Sequence, residues 1–171
     1  MHSRILKLVS ESGRRCDNER AIDDVWILDI KQGRSTVNIL HHLNKSYILI
    51  RFRFDLNEND KKLLKSSLNN TTELSDFEYD LRTAITSQDI YYLLRREKCA
   101  RNLDIPVGFD IISKVFPFEK DFGIDKFDKA VQNVINFGVL GISFLRTKVI
   151  SSKELVEMLK SISTSPLGMY G

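Results

Sequence analysis

The strict alternation of side chains over residues 47–55 constrains the fold more than any other feature of the sequence. The apolar side chains at every second position are Ile48, Ile50, Phe52 and Phe54. Arg51 and Arg53 lie between them and point to the other side of an extended backbone, because successive side chains of a strand alternate between faces. One face is therefore buried and the other wet, as in an antiparallel sheet with one open face.

Two apolar runs precede this strand, over residues 25–31 and 36–42. Connections as short as the ones between these three runs join antiparallel neighbours, so the sequence predicts a three-stranded meander. The polar stretch before it, residues 14–24, is predicted to be a loop. Apolar residues at helical spacing over residues 3–12, followed by Gly13, predict a short first helix.

After the meander, apolar residues recur every three to four positions, which indicates helices. Asn57 is the predicted N-cap of a first helix, which the polar run at residues 69–72 ends. Residues 75–78 have the form of a capping box, in which a serine hydroxyl and a glutamate carboxylate bind exposed backbone N–H groups. A second helix is therefore predicted to begin at Ser75.

Two strands and a long helix complete the predicted order. The strands are predicted over residues 90–96 and 105–116, and prolines near both ends of the second favour an edge position. The long helix is predicted to begin at Asp125 and to carry a broad apolar face. A further capping box at residues 151–154 predicts a separate short helix, followed by a flexible tail.

These elements predict the α+β class. We expect an antiparallel five-stranded sheet, built from the three-stranded meander, a helical insert and two further strands, with helices packed mainly on one face. The chain has 171 residues. It is predicted to form a single domain over residues 1–150, with the short helix and tail of residues 151–171 as an appendage of that domain.

Two segments resemble a known family. Residues 77–82, Phe-Glu-Tyr-Asp-Leu-Arg, are similar to a helix motif of an uncharacterised archaeal family of unknown function. Residues 123–130, with the apolar helix after them, are similar to the C-terminal helix of that family, and the resemblance covers about residues 5–149. The family in turn resembles the type III secretion chaperones, whose sandwich is ordered helix, three strands, helix, two strands, helix. The resemblance implies this chaperone-like fold and transfers no functional residues.

Charge and cysteine content favour a cytoplasmic protein with a mixed surface. Lys and Arg total 26 and Asp and Glu total 23, a net charge of +3 that is too small to indicate a dedicated nucleic-acid binder. Cys16 and Cys99 lie far apart and are predicted to be reduced thiols. The longest apolar stretch, residues 134–145, is too short to span a bilayer, which needs about 20 residues. We therefore expect a cytoplasmic location and no membrane.

Motifs for catalysis or metal binding are missing from the sequence. No phosphate-binding loop and no nucleophile motif occurs. His41 and His42 are adjacent on a predicted strand, point to opposite faces and are poorly placed to chelate one ion. We therefore expect no enzymatic activity, no cofactor and no metal.

An arginine–tyrosine set on the sheet is the first surface of interest. Its members are Arg51, Arg53, Tyr91, Tyr92, Arg95 and Arg96. If these side chains share the solvent face, they form a platform that can stack bases or hold phosphates. The alternative is an ordinary wet sheet face, which is favoured because the motif of RNA-binding sheets is missing.

The long helix is the second surface of interest. Gly138 and Gly141 each cost about 1 kcal/mol relative to alanine inside a helix, so another backbone is expected to approach closely. Packing on the sheet explains most of this face. A residual apolar strip that includes Ile142 and Leu145 could form a homodimer or bind a partner segment.

The leading hypothesis is therefore a non-enzymatic interaction module, with a homodimer as one form of it, that binds a protein or peptide partner. A nucleic-acid-binding protein that uses the arginine–tyrosine face is one alternative. An unrecognised enzyme is the other, and it would need a cleft with convergent titratable groups.

Overall fold

The computed structural model describes residues 1–32, 35–68, 70–100 and 102–164. In this part of the chain six strands form one antiparallel sheet, in the order β1-β2-β3-β4-β6-β5, accompanied by four helices. The strands are β1 Arg15–Ile22, β2 Val25–Gln32, β3 Ser35–His42, β4 Ile48–Asp55, β5 Tyr91–Lys98 and β6 Asp104–Val115. The helices are α1 His2–Glu11, α2 Glu58–Ser67, α3 Thr71–Ile85 and α4 Ile124–Thr164. The predicted α+β class and antiparallel sheet are confirmed.

One hydrophobic core joins the sheet to the helices. The alternation in β4 buries Ile48, Ile50 and Phe52 on the side where α4 lies across β4 and β6. The buried residues of α1, α2 and α3 belong to the same core cluster, so all four helices pack on one face. We call this side the helix-covered face and the opposite side the helix-free face. The sheet is open, because β1 and β5 form its two edges.

The sheet has six strands rather than the predicted five, because the segment predicted as a loop contains β1. Strand β1 pairs with β2 from Arg15 opposite Lys31 to Ile22 opposite Val25, so the meander has four strands. Most side chains of this edge strand are exposed, so it needs no apolar alternation. A two-residue turn joins the two strands and places Asp23 at a φ of 50°, which Asp tolerates better than most residues.

Strand β6 lies between β4 and β5, so its predicted edge position is wrong. Pro106 lacks the N–H that a central strand normally donates. It is accommodated at an irregularity of the β5–β6 ladder, where Arg95 faces Gly108 but Arg96 faces Pro106. The extra residue, Val107, accepts a hydrogen bond from the backbone N–H of Leu56 at 2.9 Å.

The predicted N-cap of α2 is confirmed, and the predicted start of α3 is wrong. The Asn57 side chain accepts a hydrogen bond from the Asp60 backbone N–H at 3.0 Å. Helix α3 begins four residues before the predicted Ser75, because the side chain of Asn70 accepts from the Glu73 backbone N–H at 2.9 Å. An asparagine cap therefore takes the place of the expected serine capping box.

Helix α4 continues through the site of the predicted break at residues 151–154. The Ser151 hydroxyl donates to the Thr147 carbonyl at 3.1 Å, and the Ser152 hydroxyl donates to the Lys148 carbonyl at 2.7 Å. Both hydroxyls bond back to the preceding turn, as serines inside a helix do, and neither caps a new helix. The predicted tail comprised residues 163–171: its first two residues continue α4, and residues 165–171 lie outside the described residues.

The continuous α4 is longer than the apolar stretch considered from sequence. Its segment Ile124–Glu154 is long and apolar enough to cross a membrane by length and composition, a test that the core helix of a soluble protein also passes. One side of this helix is buried against the sheet and the other helices through Phe127, Val131, Val134, Leu145 and Val149.

Candidate functional site

The helix-free face carries apolar side chains that none of the four described helices covers. A groove of about 450 Å³ crosses it, and its apolar lining consists of Ile22, Val25, Ile27, Leu40, Leu49, Leu93 and Ile112. Ile22, on the edge strand β1, is 53% exposed, and Tyr91 and Leu93, on the opposite edge strand β5, are 64% and 57% exposed. Large apolar residues exposed together on one surface are typical of an interaction site.

A continuous chain of polar contacts, which we call the polar ladder, runs through the same face. It uses at least one side chain from every strand of the sheet. Its members are Arg20, Asp29, Asn38, Arg51, Arg53, Asp55, Arg95 and Asp110.

Asp110 of β6 is the centre of the polar ladder and is almost fully buried. Arg53 holds it with two parallel hydrogen bonds, from Nε to Oδ1 and from Nη2 to Oδ2, both at 2.9 Å. Nη1 of Arg95 also donates to Oδ1, and Nη1 of Arg51 lies 4.0 Å from Oδ2. Burial raises the pKa of Asp110, but the hydrogen bond from Arg53 and the charges of Arg95 and Arg53 outweigh it and lower the pKa overall. The carboxylate is therefore ionised and shared among three guanidiniums.

Asn38 of β3 connects this centre to the first strands of the sheet. Its Oδ1 accepts from Nη2 of Arg51 at 3.0 Å, and its Nδ2 donates to Oδ1 of Asp29 at 2.7 Å. Arg20 of β1 forms an ion pair with the other oxygen of Asp29. The strand register places Asp29 opposite Asn38 and Asn38 opposite Arg51, so directly paired positions build this part of the ladder.

Gly108 makes room for the other end of the polar ladder. Nε of Arg95 donates to Oδ1 of Asp55 at 2.7 Å, and its Nη2 donates to the Phe54 carbonyl. A Cβ atom at Gly108 would lie 2.5 Å from that carbonyl and 2.9 Å from Nη2 of Arg95. The glycine therefore allows Arg95 to cross β6 and reach β4.

The structure divides the predicted arginine–tyrosine set between the two faces. The members on the helix-free face are Arg51, Arg53, Tyr91 and Arg95. Tyr92 lies on the other side, with the guanidinium carbon of Arg82 5.9 Å from its ring centre. Arg96 forms an ion pair with Glu78 of α3. Ion pairs bind the three arginines on the helix-free face, so a free basic platform is not what the structure presents.

The four residues predicted on the long helix lie against the core. Cβ atoms at Gly138 and Gly141 would come within 2.4 Å of the Phe52 ring and 2.6 Å of the Phe109 ring. Leu145 is fully buried and Ile142 is partly buried against the core. These glycines thus let α4 approach β4 and β6. Among the α4 side chains that the structure describes, the exposed large apolar ones are Val139, Leu140 and Ile150.

The carboxylates and the amide that hold the arginines were not predicted from the sequence. One signal was present: Asp110 is the single charged residue in the otherwise apolar stretch from Ile105 to Ile112. A buried carboxylate needs a cationic partner, so it predicts arginines on neighbouring strands. The pairing of Asp110 with these arginines depends on β6 lying beside β4 inside the sheet. The prolines of β6 had instead favoured an edge position for this strand.

The three histidines have different surroundings. His41 is buried and His42 is exposed, which the alternation predicted. Nε2 of His2 lies 2.9 Å from Nδ1 of His41, and the His2 ring stacks on Trp26 with 4.2 Å between centres. These two contacts of His2 connect α1 to β3 through His41 and to β2 through Trp26. In the described part of the chain, no group of three or more His, Cys, Asp or Glu residues is arranged to hold a metal ion.

Comparison with known proteins defines the fold alone. No protein family profile and no curated protein matches the chain. The structure is similar to the crystal structure of an uncharacterised protein from Methanothermobacter thermautotrophicus, with a TM-score of 0.71 and 12% identity over 86% of this chain and 98% of the other. YbjN from E. coli gives a TM-score of 0.46 and 10% identity over 88% of this chain and 93% of its own. The first similarity supports the resemblance to an uncharacterised family at the level of fold.

Proposed function

We propose that the chain is a cytoplasmic, non-enzymatic interaction module with a chaperone-like fold, which binds a protein partner on the helix-free face. The observation that carries the proposal is the exposure of Ile22, Tyr91 and Leu93 beside the groove on that face. Isolated exposed apolar residues are ordinary on protein surfaces. Here they surround a groove on an open sheet, where a partner can remove them from water together.

The polar ladder supports a protein rather than a nucleic acid as the partner. Asp29, Asp55 and Asp110 lie among the arginines and would repel a phosphate backbone. Most guanidinium nitrogens of Arg51, Arg53 and Arg95 already donate within the sheet, so few donors remain for a backbone that carries a phosphate at every nucleotide. A protein segment can bind with few contacts to the charged groups. Burial of its apolar side chains in the groove supplies most of the binding free energy.

Selection from a displayed library of random peptides tests this proposal. We expect wild type to enrich peptides that lose binding to Leu93→Glu, because the substitution places a charge beside the groove. The control variant is Tyr79→Glu, which changes an exposed aromatic residue of α3 on the other side of the sheet and should retain the same peptides.

Three outcomes would count against the proposal. Peptides that bind equally to both variants would place the interaction elsewhere. Single-stranded DNA that binds at low salt and is lost in Leu93→Glu would favour the nucleic-acid alternative. A wild-type dimer that Leu93→Glu converts to a monomer would show that a second copy of the chain covers the face.

A further inference from the structure

We propose that the partner segment carries an Asp or Glu side chain that binds between Arg51 and Arg53, with an apolar side chain on each side of it. This inference rests on the proposed function and adds the chemistry of the partner. It follows from the donors, the charges and the positions of the apolar residues on the helix-free face.

Two guanidinium nitrogens at the centre of the face lack a hydrogen-bond acceptor among the described residues. Arg53 uses Nε and Nη2 for Asp110, and Arg51 uses Nε and Nη2 for Asn38. Nη1 of Arg51 lies 4.0 Å from the Asp110 carboxylate, beyond hydrogen-bond distance, and Nη1 of Arg53 donates no hydrogen bond within the described part of the chain. Both Nη1 groups can therefore donate to a ligand without releasing a bond of the polar ladder.

Charge on the polar ladder points to an anionic ligand. Its four guanidiniums face three carboxylates, which leaves an excess of one positive charge. Burial lowers the pKa of Arg51, and the neighbouring charge of Arg53 lowers it further, so the charged form of Arg51 lacks full compensation. One carboxylate would neutralise the excess, whereas a phosphomonoester carries about −1.5 to −2 charges at neutral pH and would leave a net negative charge.

Exposure determines the side from which the ligand approaches. The Arg53 side chain is 48% exposed, whereas Asp110 beneath it is buried. A carboxylate from solvent can therefore reach the outer edge of Arg53 while the inner edge stays on Asp110. The buried pair fixes the guanidinium in place, so little side-chain entropy is lost when the ligand binds.

The apolar residues lie on both sides of this position. Leu40 and Leu49 are directly paired on β3 and β4, and Leu93 lies opposite Asp110 on β5. Strands are about 4.8 Å apart, so Leu40 and Leu93 are separated by roughly 14 Å across the three strand spacings. Leu93 is level with Arg53, four residues along β4 from Leu49, which adds about 13 Å along the strands and gives a separation of roughly 20 Å. An extended segment spans that distance in about six to seven residues. The matching segment therefore has an acidic residue between two apolar ones.

The test compares peptides selected on wild type with versions in which each Asp or Glu is replaced by its amide. We expect selected peptides to contain an acidic residue with apolar neighbours. Replacing its carboxylate should raise Kd about ten- to a hundredfold, the size expected for charge-assisted hydrogen bonds. Fluorescence polarisation of labelled peptides measures Kd.

A double-mutant cycle locates the contact. Arg53→Gln should raise Kd for the acidic peptide about tenfold or more and leave Kd for the amide peptide almost unchanged. Arg53→Lys, which keeps the charge, should lie between wild type and Arg53→Gln, and circular dichroism confirms that each variant is folded. The control is Lys7→Gln, which changes an exposed residue of α1 and should change neither Kd.

The outcomes separate this inference from the proposed function. Peptides that require Leu93 but contain no acidic residue, or bind equally as amides, would overturn the inference and leave the interaction surface in place. Equal effects of Arg53→Gln on the acidic and amide peptides would also overturn it. Failure to select any peptide that Leu93→Glu loses would overturn both.

Discussion

The two faces of the sheet are built on different principles. On the helix-covered face, β4 and β6 present aliphatic and aromatic side chains, and Gly138 and Gly141 bring α4 down onto Phe52 and Phe109. On the helix-free face, the same two strands present arginines and a buried carboxylate joined by hydrogen bonds. The helix-covered face is stabilised by the burial and close packing of apolar side chains. The helix-free face is stabilised by ion pairs and hydrogen bonds between its charged side chains.

This difference shows how one sheet can have a stable core and a surface suited to recognition. Alternation assigns neighbouring residues to opposite faces, so Ile50 and Arg51 serve different purposes one position apart. Because the polar ladder satisfies most of its own charges, the helix-free face needs no covering helix. The helix-free face therefore leaves apolar side chains exposed around a rigid polar centre. We expect substitutions on the two faces to change the unfolding free energy by different amounts.

The largest effect is expected at the centre of the polar ladder. Asp110→Ala leaves three arginines around a buried site without their shared carboxylate, and breaking such a pair costs about 3–5 kcal/mol of unfolding free energy. Urea denaturation measures it. Asp55→Ala is the matched control, because it removes a half-exposed partner of Arg95 alone and should cost less than about 1 kcal/mol. Equal losses would show that the ladder has no buried centre.

A smaller loss is expected where α4 meets the sheet. A Cβ at Gly138 would overlap the Phe52 ring, so Gly138→Ala should reduce the unfolding free energy by about 1–3 kcal/mol, although alanine favours a helix. Gly123→Ala is the control, since a Cβ there meets nothing within 4 Å. Stabilisation by Gly138→Ala would mean that α4 lies farther from β4 than the structure shows.

A pH effect is expected at the contact between α1 and the sheet. Burial lowers the pKa of His2 below its ordinary 6.5, and the charge of His41 lowers it further. A lowered folded-state pKa means that His2 stabilises the fold above pH 6.5 and loses this contribution as the pH falls through the lowered value. When the pH is lowered from about 7.5 to about 5.5, one unit above and one unit below the ordinary histidine pKa of 6.5, the Tm of wild type should fall more than that of His2→Gln. His42→Gln, on the other face, should follow wild type, and a wild-type Tm that rises on acidification would contradict the sign.

The smallest effect on stability is expected on the helix-free face. Leu93→Ser changes a largely exposed side chain, so the unfolding free energy should change by less than about 0.5 kcal/mol. Ile111→Ser, on the helix-covered face of the adjacent strand, removes a fully buried side chain and should cost several-fold more. Urea denaturation of both variants compares the two faces directly. A large loss in Leu93→Ser would mean that the helix-free face is part of the core.

Sequence patterns predicted the elements whose signals are local. Alternation in β4 and the asparagine cap of α2 depend on neighbouring residues, and both are found in the structure. Strand β1 was missed because an edge strand forms through backbone pairing with β2 and needs no apolar pattern. The capping boxes at residues 75–78 and 151–154 predicted helix starts that the structure does not contain. Both segments lie inside helices that begin earlier in the chain, so their serines occupy interior positions.

The candidate site was predictable only in part, for a physical reason. Arg51 and Arg53 were identified from alternation in a single strand. Their partner Asp110 lies 57 positions from Arg53 in the sequence, and strand order alone brings it into contact. Long-range pairing also decides which tyrosine is exposed: Tyr91 lies opposite Ile112 on the helix-free face, whereas Tyr92 lies opposite Ile111 on the helix-covered face.

Methyl NMR of isoleucine and leucine side chains, recorded while a selected acidic peptide is added, tests the central claim most directly. Consecutive residues report on opposite faces in three strands: Leu40 against Ile39, Leu49 against Ile50, and Ile112 against Ile111. We predict that the methyl signals of Leu40, Leu49, Leu93 and Ile112 shift on binding while those of Ile39, Ile50 and Ile111 stay in place. Shifts centred on Leu140 and Ile150 of α4, with the four signals of the helix-free face unchanged, would contradict the account.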